Sequence, residues 1–146
     1  MSRSIQHYFF LSIGLVLIAH LSNAQNSWEP VKMDVAGHNI VNNVEASFQK
    51  TTCNNEEVIF VKFTNRNNYP VVIKWYDAIL TQSGSWVKKD DSTAKKVLEI
   101  GAGREVKGVC SPDGESLCAI KLSDYLSKLP EYKLYAIYRF EVAEKK

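Results

Sequence analysis

Apolar and polar residues alternate along much of the chain after position 30, and this pattern predicts β-strands. Val31, Met33 and Val35 are separated by polar residues, and residues 44–49 repeat the same spacing. Successive side chains of a strand point to opposite faces of its sheet, so a period of two is typical of a strand buried on one face. The first third of the chain is therefore predicted to hold two strands, joined by a turn at 36–39.

The strongest strand pattern begins at Val58. Residues 58–64 are rich in β-branched and aromatic side chains, which favour strands. An asparagine-rich segment at 65–70 has the composition of a turn, and a second apolar run follows at 71–77. We predict a hairpin that is buried on at least one face. Alternation divides its second strand into two faces, with Val71, Ile73 and Trp75 on one and Val72, Lys74 and Tyr76 on the other.

Shorter strand patterns continue to the C-terminus, at 79–87, 96–110 and 117–122, and a long one closes the chain at 134–142. Gly, Asn, Asp and Pro turns separate them. About seven to nine short strands of this kind predict an all-β fold, an antiparallel β-sandwich. The last strand alternates between Leu134, Ala136, Tyr138, Phe140 and Val142 on the face expected to join the core, and Tyr135, Ile137, Arg139 and Glu141 on the other.

The first 24 residues have the features of a cleavable signal peptide. Arg3 precedes an apolar run at 8–19, and Ser22 and Ala24 place small residues at the −3 and −1 positions of a cleavage site. A membrane anchor is the alternative, but a bilayer span needs roughly 20 predominantly apolar residues and this run ends too early. We predict a signal peptide at 1–24 and one β-sandwich domain at 25–146. No cysteine lies near the predicted cut, so we do not expect a lipoprotein.

Export places the protein in the periplasm or outside the cell, where disulfides persist. Three cysteines, Cys53, Cys110 and Cys118, all follow the predicted cut. They allow one bridge and one free thiol, and their spacing does not choose between a partner for Cys110 at Cys53 or at Cys118. We favour Cys53 with Cys110, because Cys118 lies inside an apolar strand, where a free cysteine behaves as a small core residue.

Charge and motif content exclude several classes of function. The formal net charge is +2, of which Arg3 would be lost on cleavage, so we expect no nucleic-acid partner. His38 is the lone histidine after the predicted cut, and no Cys-x-x-Cys spacing occurs, so no metal or other cofactor is expected. Asp113 and Glu115 lack the dense oxygen-ligand loop of a calcium site. No Gly-x-Ser-x-Gly elbow frames a serine.

The hairpin at 57–77, with Trp75 in its second strand, resembles the core of immunoglobulin-like and fibronectin type III-like sandwiches. The segment 98–106 resembles an apolar strand, Gly turn and return strand that is common in exported bacterial members. The segments 61–65 and 106–110 are similar to segments of small exported bacterial proteins with no assigned activity. The resemblance covers roughly residues 50–142. It implies an immunoglobulin-like fold and an exported protein, and it brings no catalytic residue with it.

Aromatic residues are the feature most suggestive of function. We expect Phe63, Trp75 and Tyr138 in the core and name Tyr76, Trp86 and Tyr135 as candidate contact residues on the surface, because exposed aromatics anchor protein and sugar partners. The favoured function is an exported, non-catalytic module that binds a protein or a cell-envelope component. The alternatives are a carbohydrate-binding module that uses exposed aromatics and a small secreted hydrolase with an unrecognised site. After signal cleavage no transmembrane segment is expected.

Overall fold

A computed structural model describes residues 27–89, 91–112 and 116–146, without the side chain of Leu129. The predicted signal peptide at 1–24 lies outside the described residues, as do Asp113 and Glu115. The described residues form ten strands and two short 3-10 turns, Leu122–Asp124 and Leu129–Glu131. In chain order the strands are β1 (Glu29–Pro30), β2 (Ile40–Val41), β3 (Val44–Cys53), β4 (Glu56–Asn65), β5 (Val71–Thr81), β6 (Trp86–Lys88), β7 (Lys96–Ile100), β8 (Glu105–Lys107), β9 (Ala119–Lys121) and β10 (Tyr132–Glu144).

The strands form two antiparallel sheets, which confirms the predicted all-β sandwich. In the first sheet β1 and β2 pair with β3, β3 pairs with β4, and β8 and β9 pair with successive parts of β4. In the second sheet β5 is central. It pairs with β10 along one edge, and with β6 and β7 along the other.

A short N-terminal segment connects the two sheets. The amide of Val31 donates to the carbonyl of Ala46 in the first sheet, at 3.1 Å. The carbonyl of the next residue, Lys32, accepts from the amide of Ile137 in the second sheet, at 3.0 Å, within a parallel bridge to Ala136. Val31 and Met33 on either side are buried, so the segment is held by packing as well as by hydrogen bonds.

The core lies between the sheets and is built on large side chains that are fully buried. Phe63 of the first sheet and Trp75 of the second contact each other across the core, with ring centroids 4.8 Å apart. Their predicted core positions are therefore confirmed. The predicted hairpin at 57–77 is wrong, because β4 and β5 belong to different sheets and face each other across the core. Burying one large apolar side chain stabilises a fold by about 1.5–3 kcal/mol, so this layer dominates the stability of the domain.

The disulfide joins Cys53 at the end of β3 to Cys110 beyond the end of β8, across 57 residues of chain. Cys118 is left as a free and buried thiol just before β9. Both parts of the cysteine prediction are confirmed.

The last strand departs from the predicted alternation at a β-bulge. Tyr135 and Ile137 are buried, whereas beyond the bulge Phe140 and Val142 pack against the core. The strand therefore changes the parity of its inward-facing residues at Arg139. The prediction that Tyr138 joins the core and Tyr135 points outward is wrong. The bulge adds one residue to the strand, so residues before it face the core with the opposite parity to residues after it.

Candidate functional site

A groove of about 500 Å³ lies on the outer face of the second sheet. Its floor includes Ala78 of β5 and Ala136 of β10, which are directly paired across the two strands. Trp86 and Lys88 of β6 line it from one side, and the segment 33–37 lines it from the other. The small alanine side chains make the floor low, so the flanking residues rise above it and define a trough.

The wall at 33–37 is a closed turn. The backbone carbonyl of Asp34 accepts a hydrogen bond from the Gly37 amide at 3.1 Å. Its carboxylate accepts one from the His38 amide at 2.9 Å. The same carboxylate lies 2.6 Å from the His38 ring. The His38 amide, followed by its ring, lowers the pKa of Asp34 below the ordinary value. Gly37 has φ +83°, which glycine adopts freely, and buried Met33 anchors the turn to the core.

Cations outnumber carboxylates in the groove. Lys32, Lys88 and Arg139 line it, and Asp34 is the carboxylate among the described lining residues. Asp34 keeps its negative charge but is held within its own turn by hydrogen bonds, so the described lining residues still carry an excess of positive charge. Within the part of the chain that the structure describes, no carboxylate forms an ion pair with any of them. Three cations and one carboxylate give the described lining of the groove a formal charge of about +2.

Aromatic rings lie beside these cations. Tyr138 packs on Tyr76 with ring centroids 5.3 Å apart. The ammonium of Lys88 is 5.1 Å from the Tyr138 ring, and the guanidinium of Arg139 is 5.8 Å from both tyrosine rings. Cation–π contacts of this length hold long side chains in place. Trp86 is 46% exposed, and it is the residue that presents aromatic surface at the groove rim.

The structure places the three candidate contact residues in different environments. Trp86 lies at the groove, and its exposure agrees with the prediction. Tyr76 lies on the predicted outer face but is only 8% exposed, because Tyr138 covers it. Tyr135 is fully buried, so its placement on the surface is wrong.

Arg139 occupies an unusual backbone conformation. Tyr138 is paired with Tyr76 and Glu141 with Lys74, so two residues of β10 oppose Trp75 alone. Arg139 is the first of these two and has φ +51°. That is the left-handed position which glycine usually fills in a bulge, and for an L-residue with a long side chain it costs about 1–2 kcal/mol. Sequence reasoning missed this residue because no glycine marks the bulge.

A second polar cluster lies inside the sandwich, around Asp77. The Asp77 carboxylate accepts hydrogen bonds from the Trp75 indole N–H at 3.1 Å and from the Tyr135 hydroxyl at 2.6 Å. It also forms an ion pair with the Lys96 ammonium at 2.8 Å. Burial, followed by the charge of Asp77, holds the pKa of Tyr135 well above its ordinary value. Every carboxylate oxygen has a partner, so the cluster acts as a structural connection between strands.

Comparisons with protein-family models, with curated proteins and with solved structures found no match to this chain. His38 lies on the surface and bonds to Asp34, and the described residues contain no cluster of three or more side chains suited to holding a metal. None of the helical turns in the described ranges is long or apolar enough to cross a bilayer. The groove is the candidate site because it brings an exposed indole and three cations together.

Proposed function

We propose that this protein is an exported, non-catalytic binding module that holds a protein or a cell-envelope component in the groove between β6 and the turn at 33–37. The observation that carries this proposal is the half-exposed indole of Trp86 in the same groove as the cations Lys88 and Arg139. Aromatic and arginine side chains together are the residues most enriched at the energetic centre of binding surfaces. The Cys53–Cys110 disulfide supports a compartment outside the cytoplasm.

The backbone at Arg139 supports a functional reading of the groove. Residues held in sparsely populated backbone conformations cluster at binding and active sites, where the surrounding structure compensates for the strain. Here the bulge is what brings Arg139 against Tyr76 and Tyr138 at the groove. A glycine would form the same bulge at lower cost but would supply no cation.

A carbohydrate-binding module is the second candidate. It is favoured by the low floor of Ala78 and Ala136, over which a flat ligand can reach Trp86. The planar and amphipathic indole suits a ring that is apolar on its face and polar at its edge.

Crosslinking capture from the native envelope and medium tests the proposed function. The wild-type protein, exported from its full-length gene with a C-terminal tag, is compared with Trp86→Ala and with Tyr69→Ala. Tyr69 is 38% exposed in the turn before β5, away from the groove, and serves as the matched aromatic control. We expect a reproducible partner that is lost with Trp86→Ala and kept with Tyr69→Ala. Equal capture by both variants, or recovery of the protein alone, would contradict a binding function of this groove.

A further inference from the structure

We infer that the ligand of the groove is an acidic saccharide, whose carboxylate lies between Lys88 and Arg139 while a sugar ring stacks on Trp86. The inference rests on the proposed function, because it names the ligand class of the same groove. Three observations support it: the excess of cations in the groove, the exposed indole at its rim, and the paired backbone of its floor.

Charge selects an anionic ligand. Three cations line the groove, and the carboxylate of Asp34 is occupied by the amide and ring of His38. A neutral ligand would leave Lys88 and Arg139 without a counter-charge as it displaced their water. A carboxylate instead accepts charge-assisted hydrogen bonds, and the planar guanidinium of Arg139 can offer it two in parallel.

The aromatic surface selects a flat ring. Tyr138 also lines the groove but is half-buried against Tyr76, Lys88 and Arg139, whereas Trp86 is 46% exposed. The indole, with Lys88 two residues along β6 and Arg139 further along the groove, matches a saccharide that presents C–H groups on a ring face and a carboxylate at its edge. Burial of the apolar ring face supplies affinity, and the ion pairs supply selectivity.

The paired strands at the groove floor leave no free strand edge there for an extended acidic peptide. A peptide that adds to a sheet needs a strand edge with free backbone groups. At the groove floor Ala136 is paired with Ala78 on one side and with Lys32 on the other. The amide of Ile137 already donates a hydrogen bond to the carbonyl of Lys32.

Titration calorimetry at low salt tests this inference with three defined probes: a trigalacturonate, a trimannuronate and a hyaluronan tetrasaccharide. Each is paired with its carboxyl-reduced, neutral counterpart, and a glutamate hexapeptide is the acidic peptide control. We expect at least one acidic saccharide to bind at least tenfold more tightly than its neutral counterpart and than the peptide. Rising salt should weaken that binding.

Variants locate the binding in the groove. Trp86→Ala should abolish it, and Lys88→Ala and Arg139→Asn should each weaken it by about tenfold, which corresponds to about 1.4 kcal/mol. Asparagine is chosen because it tolerates a positive φ. Lys107→Ala, an exposed lysine of β8 in the other sheet, should leave it unchanged.

The outcomes separate the two proposals. If none of the acidic saccharides binds, or if the peptide or a neutral sugar binds as well, the acidic saccharide is ruled out. The binding function stands in that case if envelope capture still depends on Trp86. If neither capture nor saccharide binding depends on Trp86, both proposals are wrong.

Discussion

The phenol of Tyr135 donates a 2.6 Å hydrogen bond to the carboxylate of Asp77, and this contact ties β10 to β5 in the interior of the sandwich. The same carboxylate pairs with the ammonium of Lys96 in β7 at 2.8 Å. One buried acid therefore joins three of the four strands of the second sheet, and its removal should affect all three.

Replacing Asp77 should destabilise the protein strongly. Asp77→Asn removes the counter-charge of Lys96, whose side chain is only 20% exposed, so we expect the free energy of unfolding to fall by about 3–5 kcal/mol. Urea denaturation followed by tryptophan fluorescence measures this loss. Tyr135→Phe, which keeps the ring and removes one hydrogen bond to a charged group, should cost only about 1.5–3 kcal/mol.

A double variant separates the charge from the packing. Asp77→Asn with Lys96→Met leaves no buried cation without a partner, so it should be more stable than Asp77→Asn alone. A double variant that is no more stable than Asp77→Asn would show that the hydrogen bonds, and not the ion pair, account for the loss.

The disulfide should contribute substantially to stability. Closing a loop of 57 residues restricts the unfolded chain by roughly 4 kcal/mol on the chain-entropy estimate, and measured losses are typically about 2–5 kcal/mol. We therefore expect Cys53→Ser with Cys110→Ser to lower the free energy of unfolding within that range. Thiol titration of the wild-type protein is the companion measurement: Cys118 should react only after unfolding. Rapid reaction of a thiol in the native protein would contradict its buried position.

Stability should fall at alkaline pH through Cys118. Burial raises the pKa of its thiol from 9.0 to about 11 in the folded protein. Below pH 9 the thiol is protonated in both the folded and the unfolded protein, so its ionisation does not reduce the free energy of unfolding there. Above pH 9 the unfolded state loses the proton first, and stability is lost as the pH rises toward 11. Cys118→Ala should flatten the pH dependence of the unfolding free energy in this window, after both proteins are normalised at pH 7. An unchanged slope would rule out the thiol as the cause.

Glycine at position 139 should stabilise the fold and impair the groove. The left-handed conformation at φ +51° costs an arginine about 1–2 kcal/mol, and glycine adopts it freely but loses about 0.5–1 kcal/mol in chain entropy. We expect Arg139→Gly to raise the free energy of unfolding by up to about 1 kcal/mol, as measured by thermal and urea denaturation. Arg139→Ala, which keeps the strain and loses the cation, is the control and should not be stabilised. Equal effects of the two variants would mean that the bulge stores no strain.

The strands β4 and β5 could each be predicted because residue types close together in the sequence define a strand. Their pairing as a hairpin could not, because the turn between them carries the chain from one sheet to the other. The disulfide could be predicted because Cys118 lies in an apolar strand, which left Cys53 and Cys110 as partners. Val71, Ile73 and Trp75 alternate with more polar neighbours, so their inward face was evident. In β10 both parities carry apolar residues, as Tyr135 and Tyr138 illustrate. The pattern alone could not show whether the odd-numbered or the even-numbered residues face the core. Nor could it show that the inward-facing parity changes at Arg139.

The groove could not be predicted because its residues come from separate parts of the chain. The turn at 33–37, the strand at 86–88 and the strand at 136–139 meet only when Lys32 bridges to Ala136. Trp86 could be named from its position after a turn. Its cationic neighbours could not, because nothing in their spacing indicates that they meet across the sheet.

The bulge at Arg139 turns one position into a marker for tracing descent. A homologue with glycine at this position would retain the strand geometry at no steric cost, and its outer face would be free to diverge. A homologue with arginine or lysine there would have kept a disfavoured backbone for the sake of the side chain. The identity of this single residue would then sort homologues that share only the scaffold from those that share the ligand.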